Sequence, residues 1–119
     1  MADRRPMGSL EAQVLGVLWR AEGPVTPAEV REALHSDLAY TTVMTILSRL
    51  WQKGLAERMK QGRAFAYGPV MSESDLAATR MRAALTATSD RTATMSRFVE
   101  GLNKREAAAL RALLDEADG

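Results

Sequence analysis

No cysteine occurs in the 119 residues, and histidine occurs once, as His35. The first absence excludes disulfides, thiolate nucleophiles and cysteine-ligated zinc, and it fits a reducing cytosol. The second leaves one imidazole, near Asp37 in a segment that reads as a turn; an exposed turn residue is a simpler reading than a base or metal ligand. No glycine-rich phosphate loop, metal-ligand cluster or nucleophile constellation is present, so an enzyme is not indicated and no cofactor is expected. Long apolar runs are missing too. The longest, Val14 to Trp19, is interrupted by Gly16 and is far shorter than the roughly 20 residues that span a bilayer. The opening MADRRPMGS has two arginines with no apolar segment behind them, unlike a secretory signal. A cytoplasmic protein with no membrane partner is expected.

What is present supports a folded core: 46% of the residues are hydrophobic, which argues against overall disorder. The length suits one domain, or a small domain with an appendage. The net charge of +1 hides a local bias. Residues 40–67 carry five basic groups (Arg49, Lys53, Arg58, Lys60, Arg63) against Glu57 alone, a local charge of +4. The segments before and after carry −2 and −1.

The apolar spacing predicts helices. Leu10, Val14, Val17 and Leu18 form one stripe behind Ser9, a candidate cap, and Gly23-Pro24 ends that helix. Thr26-Pro27-Ala28-Glu29 has the cap, the first-position proline and the return carboxylate of a capping box; Val30 and Leu34 follow on a buried face. His35-Ser36-Asp37 reads as a turn. A third helix is expected from Tyr40 or Thr41 to Lys53, with Val43, Ile46, Leu47 and Leu50 inward and Gly54 as a left-handed stop. From Leu55 the period falls to two. Gln61-Gly62 is the expected hairpin turn, with Phe65 and Tyr67 sharing a face of the second strand. A hairpin directly after such a helix is a wing.

A recognition helix must bring its backbone near base edges in a groove about 12 Å wide. Thr41, Thr45, Ser48 and Gln52 lie on a face away from the core stripe, and Thr42, Thr45 and Arg49 form a neighbouring row. Small hydroxyl side chains permit close approach, and threonine adds a methyl group for thymine. Arg49 suits guanine or a phosphate, while Lys53, Arg58, Lys60 and Arg63 suit the DNA backbone. A merely solvated polar face is the competing reading. Three threonines within residues 41–45 are an unusual way to fill such a face, because threonine is a mediocre helix former.

Gly68-Pro69 marks the expected boundary, giving a flexible arm at 1–8, a winged helix at 9–70 and a helical region at 71–119. In the last region Ser72, Asp90 and Asn103 are candidate caps. The apolar positions Leu76, Met81, Leu85, Met95, Phe98, Val99, Leu102, Leu110, Leu113 and Leu114 have too little chain to bury them alone. Pairing with an identical chain is the expected solution, and folding back onto the N-terminal domain is the alternative. A two-fold dimer sets two recognition helices about one DNA turn apart, roughly 34–36 Å, for a palindromic site. The expected fold is mostly α with a small β wing. Trp19 and Trp51 read as packing residues rather than ligand-stacking groups, and the seven methionines as adaptable filler.

LAYTTVMTILSRLWQKGL at 38–55 and GRAFAYGPV at 62–70, with SLEAQVLGVLW and VTPAEVREAL before them, resemble the penicillinase-repressor family (BlaI/MecI type) of winged-helix regulators. The resemblance spans nearly the full chain. It implies a repressor that binds a dyad operator on double-stranded DNA as a homodimer through its C-terminal helices. The family's copper-responsive branch binds metal through a C-terminal cysteine cluster, which this chain lacks. The penicillinase branch is inactivated by a regulatory protease next to a phenylalanine in the dimerisation region. Phe98 resembles that position, with Arg97 where asparagine is expected; its place on an apolar stripe reads first as a packing anchor, and both roles can hold. A winged helix that binds a protein instead of DNA is the alternative function.

Overall fold

The computed structural model describes residues 7–35 and 37–118. The first six residues of the expected arm, and Ser36 of the expected turn, lie outside that set. The element order is α1 (Met7–Arg20), α2 (Pro27–Leu34), α3 (Tyr40–Gln52), β1 (Ala56–Gln61), β2 (Ala64–Pro69), α4 (Glu73–Ala87), α5 (Arg91–Glu100) and α6 (Lys104–Asp118). Two compact units result, Met1–Leu76 and Ala77–Gly119. The division falls inside α4, six residues beyond the expected boundary at 70. Met71 and Leu76 pack with the N-terminal core, which is why the first unit extends further.

Three helices and the hairpin enclose that core. Val14 and Leu18 of α1, Val30 of α2, and Val43, Ile46, Leu47 and Leu50 of α3 are almost wholly buried. Burying each such side chain contributes about 1.5–3 kcal/mol. Helix α1 starts at Met7, so Ser9 lies inside it and does not cap it. The amides of a first turn have no intrahelical partner, so Gly8 and Ser9 are tolerated there. The α2 start follows its sequence signal: the Thr26 hydroxyl accepts from the Glu29 amide and the Glu29 carboxylate accepts from the Thr26 amide.

The wing is a β1–β2 antiparallel hairpin with Arg58 opposite Tyr67 and Lys60 opposite Phe65. Its last pair is Gln61–Ala64, so the turn is Gly62-Arg63, one residue later than expected. Gly62 has φ +66° at the first central position, and Arg63 has no positive φ, as a II′ turn arranges them. Val25 adds a one-residue third strand, exchanging two backbone hydrogen bonds with Tyr67 at 2.9 and 2.7 Å. That bridge lies outside the sequence-based expectation; it fastens the segment before α2 to the wing.

In the second unit, Asp90 caps α5 by accepting from the Ala93 amide. Asn103 and Glu106 form a reciprocal capping box at α6. Local signals therefore define these helices well, yet no described residue from 77 onward is buried.

Candidate nucleic-acid interface

Helix α3 is positioned from both ends. His35 closes α2 in the left-handed conformation, φ +49°, and the Arg31 Nε donates to the Leu38 carbonyl at 2.9 Å, fixing the approach to α3. At the far end Gly54, φ +79°, turns the chain into the wing.

With the apolar stripe of α3 in the core, Thr41, Thr45, Arg49 and Gln52 are exposed and Thr42 and Ser48 half-buried. The structure thus brings six of the expected site residues onto one solvent-facing surface. The Thr45 hydroxyl donates to the Thr41 carbonyl at 2.9 Å. Its hydrogen is committed within the helix, which leaves its methyl group and oxygen lone pairs outward. No carboxylate among the described residues pairs with Arg49. Two further residues, Tyr40 and Met44, are exposed on the flank of this surface and were not expected there. Their spacing of four, off the core stripe, was the available signal.

The cations from the end of α3 through the wing divide into two groups. Lys60 and Arg63 are exposed, Arg63 at the tip, and neither has an acidic partner among the described residues. Lys53 and Arg58, expected at the DNA backbone, each have a partner within the chain. The Lys53 ammonium is held at 2.8 Å by Glu11 of α1. The Arg58 guanidinium lies over two rings, 3.5 Å from the Trp51 centroid and 4.2 Å from that of Phe65. Trp51 is thus a partner for an arginine at the surface. Trp19 is structural, as expected: half-buried against the core, it donates from Nε1 to the Met71 carbonyl at 3.0 Å.

Of the expected dimerisation residues, Leu76 is corrected. It is 5% exposed in the core of the first unit and so is not available to a second chain. Met81, Leu85, Met95, Phe98, Val99, Leu110 and Leu114 instead line an open apolar groove of about 580 Å³ within the second unit. Leu113 is exposed and Leu102 half-buried. Phe98 is half-exposed, so within one chain it is not a buried anchor.

Among the described residues no cluster of three or more acidic, histidine or cysteine side chains is placed to hold a metal. No helix among them is long and apolar enough to cross a membrane.

A helix that follows shortly on its predecessor, packs with it and leads into a cationic hairpin defines the winged helix-turn-helix class. The chain belongs to the penicillinase repressor family, whose profile matches residues 7–116; this is a family of DNA-binding transcriptional repressors, not of enzymes. The chain is 42% identical to the transcriptional regulator BlaI of Mycobacterium tuberculosis over 123 aligned positions, covering 99% of this chain and 89% of that one. It is 35% identical to the penicillinase repressor of Bacillus licheniformis over 66 positions, 55% of this chain and 52% of that one. The solution structure of monomeric Bacillus licheniformis BlaI with the blaP half-operator is 32% identical, covers 62% of this chain and 88% of that one, and has a TM-score of 0.47.

Proposed function

We propose that this chain represses transcription by binding a dyad operator as a homodimer, with α3 choosing the sequence and the wing supplying affinity. The observation that carries the DNA half is the concentration of positive charge, +4 over residues 40–67, in the helix that exposes the threonines and the hairpin that follows it. Thr41, Thr42, Thr45, Ser48, Arg49 and Gln52 are assigned to the major groove, with Met44 offering an apolar contact to a thymine methyl group. Lys60 and Arg63 are assigned to phosphates. Lys53 reaches DNA only if it leaves Glu11.

The dimer half is supported by the second unit's lack of any buried described residue and by its apolar groove. A second copy offers the same apolar faces, so a two-fold pairing covers both at once. Release by a regulatory protease at Arg97-Phe98 fits this arrangement, because a cut there severs Phe98, Val99, Leu110 and Leu114 from the rest of the groove lining. The bond lies inside α5, so cutting requires that helix to open locally. We place the protein in the cytoplasm, beside the DNA it reads.

The test is selection of bound fragments from genomic DNA by the full chain. Recovered fragments should share two inverted half-sites with centres about 10 base pairs apart, or a multiple of that. Fragments without a common sequence would overturn sequence-specific repression, and retention of no DNA at low salt would favour a protein-binding winged helix.

A further inference from the structure

Arg58 differs from every other cation of the wing. Lys60 and Arg63 project from the hairpin without partners among the described residues. Arg58 is half-buried, with its guanidinium carbon 3.5 Å from the Trp51 ring centroid and 4.2 Å from that of Phe65. The three side chains come from the last turn of α3, from β1 and from β2, so one contact joins the recognition helix to both strands. Each ring attracts the cation through its negative face. The guanidinium donors all lie in the plane of the group. The guanidinium is thus held over two rings, and no carboxylate or carbonyl among the described residues accepts from its in-plane donors.

We propose that Trp51 and Phe65 are positioning residues that hold Arg58 edge-outward as a preformed fork for a DNA phosphate. This rests on the DNA-binding reading given above. The fork matches the two-oxygen face of a phosphate, which a lysine meets only as a point charge. Immobilising a long side chain before binding removes an entropy cost otherwise incurred on the DNA. The same stack sets the angle between wing and α3, so the phosphate contact and the helix's seat in the groove are coupled. Arg58 therefore contributes through its planarity and its fixed pose as well as its charge.

The experiment measures affinity of the full chain for a random-sequence duplex across a salt series. It uses wild type, Arg58→Lys, Arg58→Gln, Trp51→Ala, Trp51→Phe and Phe65→Ala. Trp51 and Phe65 lie outside the buried core, so the variants should melt like wild type, which a thermal scan checks. Arg58→Lys, with its charge intact, should bind about three- to tenfold more weakly. Trp51→Ala and Phe65→Ala should weaken binding comparably, and Trp51→Phe should restore most of it. Arg58→Gln should reduce the salt slope by about 0.9 per protomer, the value for one lost phosphate contact. Wild-type affinity in Arg58→Lys, or in both alanine variants, overturns the fork, as does an unchanged slope in Arg58→Gln. Hydrogen exchange of the wing amides reads the clamp without DNA: it should be faster in Trp51→Ala, and equal exchange overturns the clamp. Wild type that retains no DNA at low salt overturns the DNA reading itself, an outcome distinct from a binding wild type with a binding lysine variant.

Discussion

The Lys53 ammonium sits 2.8 Å from the Glu11 carboxylate, tying the end of α3 to α1. Lys53 remains 54% exposed in its side chain, so the pair is worth little to stability, about 1 kcal/mol or less. Its larger effect is on the DNA-facing charge, because it holds one cation of the +4 segment against an acidic group. Glu11→Gln should leave the melting temperature within a few degrees, strengthen DNA binding and steepen its salt dependence by about 0.9 for each newly engaged phosphate. Unchanged affinity and slope would show that Lys53 lies out of reach of DNA.

Arg49 and Lys60 should separate base reading from phosphate contact. Arg49→Ala should cost about 1–3 kcal/mol on the operator and much less on random DNA. Lys60→Ala should weaken both alike and flatten the salt slope. Identical behaviour of the two variants on both DNAs contradicts the assigned roles.

Thr45 offers a finer test. Its hydroxyl hydrogen is directed to the Thr41 carbonyl, so its contribution to thymine recognition should come from the methyl group. Thr45→Val, which keeps that methyl, should preserve sequence preference in competition binding. Thr45→Ser, which loses it, should relax the preference. The opposite ranking would assign recognition to the hydroxyl oxygen.

Phe98→Asp places a charge in the open groove of the second unit. Sedimentation should then show monomers, while a Leu47→Ala chain stays dimeric. Leu47 is fully buried in the first unit, and its truncation should instead cost about 2–5 kcal/mol in denaturant unfolding. A Phe98→Asp dimer would rule out the groove as the interface.

Much of this architecture is legible in the amino-acid sequence. The inward face of α3 follows from Val43, Ile46, Leu47 and Leu50. The Thr26–Glu29 and Asn103–Glu106 boxes are local chemistry, and Gly54 takes the left-handed conformation its position suggests. The wing turn sits one residue from its expected place because glycine suits either central position of a two-residue turn. Type I′ favours it second and type II′ requires it first, and Gly62 is first. The Val25–Tyr67 bridge has no sequence signature, since one paired residue leaves no alternation to read.

The remaining differences are tertiary. An apolar stripe names a buried residue and not the surface that buries it. Spacing therefore groups Leu76 with the later helices although it completes the first core. It likewise counts Lys53 and Arg58 as basic, but it does not disclose Glu11 of α1 or the ring pair around Arg58. Both belong to contacts between distant segments.

The central claim is that α3 and the wing of a dimer read DNA. The most direct measurement is the affinity of the full chain for its selected operator and for a scrambled duplex across a salt series. Operator binding should be tighter throughout, and the logarithm of its affinity should fall linearly with log salt. Its slope should be about −5, for six phosphates reached by Arg58, Lys60 and Arg63 of two protomers. A slope near zero, or equal affinity for the two duplexes, would contradict the account.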